Sequence, residues 1–412
     1  MRALVISDTH FGAWTGRDLL REDFFLERLA PVLDGVDEVI LLGDLFDFLF
    51  GSVAESVDAA SGLLALVARE LPGKRFVFLA GNHDHHLVHR DEESRVIEAA
   101  LARGDAPRDD DGVPPPEPPG PAFFQAFLEK RLPGLEVEIA YPTYTCAGVL
   151  CTHGHYLDPH ARMAGSRGSR LLTRTLWGIA AGGPEDPKSA ADYESVITLL
   201  TEWLYIAAQM PHGTHAQQNV LRAAQRAGRV AAAVGAPMRG AKRFAGEVRA
   251  RSGAADTEPL PSIEHFEGVI RDEAERQARE APLPGRPESA PRYPEPTVLS
   301  RSSPTEGALE AFAKVVTNLE WDKEAPQIVF AHTHQPLDDV RATSGATRYW
   351  NSGCWIYEPD LSSRQAYARY CRYAWPGTAI VIDDAEPQPR LLALLADLNP
   401  LFGGPGLPKA PA

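Results

Sequence analysis

Five times in this chain a short apolar run stops at a cluster of Asp, Asn or His. The run Arg75-Phe76-Val77-Phe78-Leu79-Ala80 ends in Gly81-Asn82-His83-Asp84. Ala3-Leu4-Val5-Ile6 leads into Ser7-Asp8-Thr9-His10, and Val39-Ile40-Leu41-Leu42 into Gly43-Asp44-Leu45-Phe46-Asp47. Further on, Gly148-Val149-Leu150-Cys151 precedes Thr152-His153-Gly154-His155, and Gln327-Ile328-Val329-Phe330 precedes Ala331-His332-Thr333-His334. Continuous apolar runs of this length read as strands buried on both faces, the mark of a parallel sheet. In open α/β sheets ligands gather beyond the carboxyl ends of the strands. Five strand ends are therefore expected to deliver these polar residues to one edge.

The donor types then define the chemistry. Carboxylate, amide oxygen and imidazole together suit a pair of divalent ions such as Mn, Fe, Zn or Ni, rather than Mg or Ca alone. Mn is the favoured ion. Two ions a few ångströms apart need a shared ligand, and a carboxylate has two oxygens to share; Asp44 is the expected bridge.

In order, the motifs read Asp-x-His, Gly-Asp-x-x-Asp, Gly-Asn-His-Asp, His-Gly-His and His-x-His. The set resembles the calcineurin-like metallophosphoesterase family over roughly the first half of the chain and a block near its end. One departure is Ala331, where the family usually has Gly. The resemblance implies a two-sheet βαβ sandwich flanked by helices and a phosphoester hydrolase in which a metal-bridging hydroxide attacks phosphorus. It further implies that Asp8, His10, Asp44 and His334 hold one metal and that Asp44, Asn82, His153 and His332 hold the other. His83 would stabilise phosphoryl oxygens or protonate the leaving group, so it is the candidate catalytic residue. Asp84 is a candidate acceptor for the His83 ring and Asp47 a loop-fixing residue beneath the ligands. His155 is a candidate substrate contact, whereas His85, His86 and His89 read as exposed turn histidines without a role. Ser-Asp-x-His with Gly-Asp-Leu-Phe-Asp is similar to the subgroup that includes the UDP-diacylglucosamine pyrophosphatases. That subgroup usually has Arg where this chain has His83, so its lipid substrate is not carried over.

Between the fourth and fifth motifs the pattern changes. Residues 1–157 and 301–412 read as two parts of one core, and 158–300 as a mostly helical cap insertion with a Pro-rich connector at its end. Helical spacing recurs at 171–181, 193–210, 217–234 and 263–279. Its Leu-rich faces either close a small helical core or line a groove for an apolar substrate tail, with peripheral membrane contact as a variant of the second reading. Residues 104–121, rich in Asp and Pro, read as an exposed loop, and those from Gly403 as a loose tail. Helices are expected at 57–71 and 306–318, hairpins around Ala147-Gly148 and Ser344-Gly345-Ala346, and strands at 365–375 and 379–382 that complete a second sheet.

Composition narrows the partners. A formal net charge of -15 argues against nucleic acid. Cys146, Cys151, Cys354 and Cys371 show no C-x-x-C spacing and fit free thiols in a reducing compartment. The apolar start before Ser7 is too short for a signal peptide, and no apolar stretch approaches the roughly 20 residues that span a bilayer. A cytoplasmic protein acting on a phosphorylated small molecule or a lipid-linked substrate is expected. Alternatives are a pyrophosphohydrolase of a lipid-linked or nucleotide diphosphate and, from another class, a non-catalytic scaffold of the same fold.

Overall fold

A computed structural model describes residues 1–13, 17–88, 123–160, 187–209, 304–343, 345–359, 370–399 and 401. The eleven strands among the described residues form two sheets, one of six and one of five. In the first sheet, β1 (Arg2–Ile6), β2 (Glu38–Leu42), β3 (Arg75–Leu79) and β4 (Glu136–Ala140) run parallel. The second sheet contains β5 (Thr143–Cys146), β6 (Val149–Thr152), β7 (Gln327–Phe330), β8 (Leu337–Val340) and β9 (Arg348–Asn351), in the order β5-β6-β7-β9-β8. β10 (Thr378–Asp383) and β11 (Arg390–Ala393) return to the first sheet, which reads β11-β10-β1-β2-β3-β4. Each sheet is mixed, and the fold is α/β.

The two-residue period of a strand sorts its side chains into layers. Ala3 and Val5 face inward with Ile40, Leu42, Val77 and Leu79, against Cys151, Val329 and Trp350 of the second sheet. Leu4 and Ile6 point the other way, into a core formed with α1 (Asp23–Leu33), α3 (Ser61–Glu70) and α4 (Phe123–Arg131). On the far side, Ile328 and Phe330 pack under α6 (Pro304–Asn318) through Phe312 and Val315. Each Val, Leu, Ile or Phe among them contributes about 1.5–3 kcal/mol by leaving water. These layers hold β1, β2, β3, β6 and β7 rigidly, so the turns that follow them are fixed as well.

Several expectations change. The helix read over 57–71 is two helices, α2 (Val53–Ala59) and α3; Ser52 caps the first by accepting from Glu55 N–H. Residues 370–373, read as strand, are helical, because Tyr370, Cys371 and Trp375 pack into the first core and Trp375 Nε1 donates to the Leu395 carbonyl at 2.8 Å. That tertiary contact outweighs the β preference of an aromatic run. The 379–382 run is a strand, but it pairs antiparallel with β1, with Val5 opposite Ile380, and so belongs to the first sheet. Without it β1 would be an unpaired edge. The hairpins at β5–β6 and β8–β9 form. Of the insertion, one helix is described, α5 (Ala190–Gln209). The other cap helices, the Pro-rich connector, the 104–121 loop and the tail lie outside the described residues. No helix among the described residues is long and apolar enough to cross a membrane. The four cysteines are free and buried.

Candidate metal centre

The turns after β1, β2, β3, β6 and β7 meet at one end of the sandwich. They do so under strain: Asp8, His10, Asp44, His332 and His334 all adopt positive φ, between 48° and 67°. Non-glycine residues rarely accept this region, and such departures cluster where geometry serves a site. The glycines beside them permit close approach. A Cβ on Gly81 would lie 2.1 Å from Asp44 Oδ1, and one on Gly43 would lie 2.3 Å from His153 Nδ1.

Three groups of donor atoms result, each within 4.8 Å: Asp8, His10 and His334; Asp44, His153 and His332; and His10, Asp44 and His83. His10 Nε2 faces His334 Nε2 at 3.1 Å, and Asp8 Oδ1 lies 3.3 Å from the latter. On the other side, His153 Nε2 is 3.3 Å from both Asn82 Oδ1 and Asp44 Oδ2. Asp44 Oδ2 is also 3.7 Å from His10 Nε2, so this one oxygen stands between the two groups.

Three of the rings, His83, His153 and His332, have one nitrogen tied down, which leaves the other as the free donor. His153 Nδ1–H donates to the Leu42 carbonyl at 2.9 Å, leaving Nε2 toward Asp44. His332 Nε2 is held by Asp158 Oδ1 at 2.8 Å, leaving Nδ1. Asp47 serves two rings: Oδ1 lies 2.8 Å from His83 Nδ1 and Oδ2 lies 3.5 Å from His10 Nδ1. The acceptor for His83 is thus Asp47, not Asp84. Asp84 instead stitches two turns together, accepting from Gly81 N–H and Leu45 N–H at 2.7 Å each and from Phe46 N–H at 3.3 Å. Its two oxygens are fully committed to backbone donors and cannot also reach a ring.

The electrostatics fit a cation-binding centre. Asp8, Asp44, Asp47 and Asp84 are all buried. Burial alone would raise Asp44, yet the charges of His153 and His83 hold it well below the usual carboxylate range. The same exchange runs in reverse for the imidazoles. Burial opposes their charge, but Asp44 brings His153 up to about 9, and Asp47 with Asp44 brings His83 up to about 10. Each of these shifts favours positive charge beside the buried carboxylates. Asp8 Oδ1 accepts no hydrogen bond although fully buried, which leaves a lone pair directed into the first group. Oxygen and nitrogen donors with borderline character are what Mn, Fe, Zn and Ni share as preferred ligands.

Asp84→Asn tests the stitch. The amide offers one acceptor oxygen where the carboxylate has two, so its NH2 must face a backbone N–H. A loss of about 2–3 kcal/mol is expected by urea unfolding. An unchanged midpoint would contradict it.

The remaining histidines differ from expectation. His155, the candidate substrate contact, is buried with its ring among His153, Tyr141 and Tyr156, because it opens a short 3-10 turn that carries it inward. Burial and the neighbouring His153 lower its pKa well below the usual value. His85 and His86 are buried too, not exposed, and each meets a carboxylate of α5: His85 Nε2 lies 2.7 Å from Glu194 Oε2 and His86 Nε2 3.1 Å from Glu202 Oε1. His89 lies outside the described residues. Asn351 and Trp355 pack: Asn351 Nδ2 donates to the Ala331 carbonyl, and Trp355 Nε1 to that of Thr378. The sequence carried no signal for Glu194, which sits on a helix without a recognisable motif.

Glu194 also makes a pH prediction. Burial would raise its carboxyl, but His85 first among its partners brings it down to about 2 from 4.5. A depressed carboxyl stabilises the fold above its unfolded value and loses that contribution as pH falls. The protein is therefore expected to lose up to about 1.4 kcal/mol per pH unit from this group between pH 4.5 and 2. Glu194→Gln should flatten the stability profile in that window, measured by chemical denaturation.

Residues 1–195 match the model of the calcineurin-like phosphoesterase family, which covers the first four motifs; His332 and His334 lie beyond the match. No curated protein matches the chain.

Proposed function

We infer, from the match of residues 1–195 to the calcineurin-like phosphoesterase model and from the convergence of the donor groups, that the protein is a phosphoester hydrolase with a dinuclear metal centre. Asp8, His10, Asp44 and His334 would hold one ion, and Asp44, Asn82, His153 and His332 the other. The observation that carries this reading is the place of Asp44 Oδ2, 3.7 Å from a donor of one group and 3.3 Å from a donor of the other. When bound, such ions lower the pKa of water toward neutrality and neutralise phosphoryl charge. Mn is the favoured occupant. Residues 1–157 and 301–412 form the catalytic core in this reading, and 158–300 a cap that takes part in substrate choice.

The chain's own residues handle the proton. Hydrolysis forms a bond from water oxygen to phosphorus and breaks the bond from phosphorus to the leaving oxygen, which must be protonated. His83 is suited to supply that proton. Its Nδ1 is engaged by Asp47 Oδ1, so Nε2–H is the free donor, and the side chain is 16% exposed while the adjoining His10, Asp44 and Asp47 are buried. The Phe50 ring, 5.5 Å away, and the His10 ring, 4.5 Å away, restrict its rotation. His83→Gln keeps a donor of similar reach but removes the titrating group. It is expected to lower kcat by about 10²–10⁴ with metal content unchanged.

The test is Mn-dependent hydrolysis of bis-p-nitrophenyl phosphate by the purified protein, with metal content measured in parallel. Turnover with two ions per chain supports the reading and justifies a substrate screen. Two ions without turnover directs the screen to lipid-linked and nucleotide diphosphates. A protein that takes up no metal and turns over nothing sinks the enzyme and leaves the scaffold.

A further inference from the structure

The carboxylate of Glu194 is the meeting point of three segments far apart in sequence. His85 Nε2 lies 2.7 Å from Oε2, while the hydroxyls of Tyr141 and Tyr156 both donate to Oε1. The two phenols are 3.3 Å apart, and Tyr141 Oη lies 3.4 Å from His155 Nε2. His85 belongs to the turn that begins with Gly81-Asn82, and Tyr156 follows His153-Gly154-His155. The side chain of Glu194 is 15% exposed, so these bonds form largely out of water, where each is stronger and its loss costs more.

The rest of α5 is held to the same face. Tyr193 Oη contacts His160 Nε2 at 2.6 Å, and the His86 ring stacks on Tyr205 with centroids 4.0 Å apart. At the far end Gln209 Nε2 donates to the carbonyls of Phe48 and Gly51, just past Asp47. The helix therefore lies across the turns after β2, β3 and β6. No hydrogen bond of Glu194 among the described residues runs to the turns of Asp8 or His334.

Resting on the function proposed above, we propose that Glu194 is a positioning residue. Its carboxylate fixes the turns that supply Asn82 and His153, and so makes binding of the ion they would share depend on the docking of α5.

The experiment titrates the full chain with Mn2+ alone, by calorimetry, and follows amide hydrogen exchange. Glu194→Gln keeps the shape of the side chain and removes its charge. One of two Mn2+ binding steps is expected to weaken by about 10–100-fold, the size of effect that outer partners of ligands carry. The other should stay within about threefold. The Leu87, Val88 and Leu157 amides, hydrogen-bonded within these two turns, should exchange about tenfold faster. A Tyr141→Phe, Tyr156→Phe double variant, which keeps the charge and removes both phenol donors, should show the same selectivity to a smaller extent. It carries the test if Glu194→Gln fails to fold. Equal weakening of both steps, or faster exchange with both steps unchanged, makes Glu194 a structural tether and overturns the inference. A wild type that takes up no Mn2+ overturns the proposed function and this inference together. A two-ion wild type with an unaltered variant overturns this inference alone.

Discussion

Asp44→Asn is expected to reduce Mn-dependent phosphodiester hydrolysis at least about a thousandfold, a loss of roughly 4 kcal/mol in transition-state stabilisation. The reason is local. Asp44 Oδ2 is the one oxygen near donors of both groups, while Oδ1 is already engaged by the His83 N–H at 2.8 Å. An asparagine can keep the oxygen or the N–H contact but carries no charge and offers an NH2 where a second acceptor is required. Added Mn2+ should raise the melting temperature of the wild type and raise that of the variant by less, because a ligand stabilises only to the extent that it binds. Activity within tenfold of wild type at equal metal content would remove Asp44 from the bridging position.

Gly43→Ala should damage the fold and the candidate site together. Gly43 has φ +84°, and a Cβ there would sit 2.3 Å from His153 Nδ1 and 2.9 Å from the Gly81 backbone. The left-handed conformation alone costs about 1–2 kcal/mol with a side chain, and overpacking adds about 1–3 kcal/mol. The ring has no retreat, since its Nδ1 is already bonded to the Leu42 carbonyl. We expect a stability loss of roughly 3 kcal/mol in urea, together with loss of Mn2+ binding. Gly73→Ala is the matched control: φ is +74° but nothing lies within 4 Å of the new Cβ. It should cost only the conformational part, with metal binding retained. Equal losses in the two variants would mean that backbone strain alone, and not contact with His153, governs the effect.

That the donor residues would meet at one edge could be read from the sequence because buried parallel strands announce themselves as continuous apolar runs. Asp8, Asp44, Asn82, His153 and His332 each stand within three residues of such a run's end. What holds the rings in place was not readable. Asp158 meets His332 across 174 positions and Glu194 meets His85 across 109. No periodicity encodes such pairs. The assignment of Asp84 to His83 failed for the same reason: adjacency in sequence suggested contact, whereas the backbone donors of Gly81, Leu45 and Phe46 had already taken both oxygens. The 379–382 strand was visible as a strand, but its partner was not. Joining β10 to β1 is decided by the vacant edge of β1, a property of the assembled sheet.

The ring nitrogens of His10 and His334 lie 3.1 Å apart in space and 324 positions apart along the chain. During synthesis at about 5–20 residues per second, His10 would wait on the order of half a minute for its partner to be made. Throughout that interval the amino-terminal segment would carry a carboxylate and imidazole cluster able to take an ion with too few donors to hold it. Completion of the pair therefore falls late, when β7 slots beside β6 and β10 beside β1. If the proposed centre holds two ions, a nascent chain would acquire them as one of its last folding events.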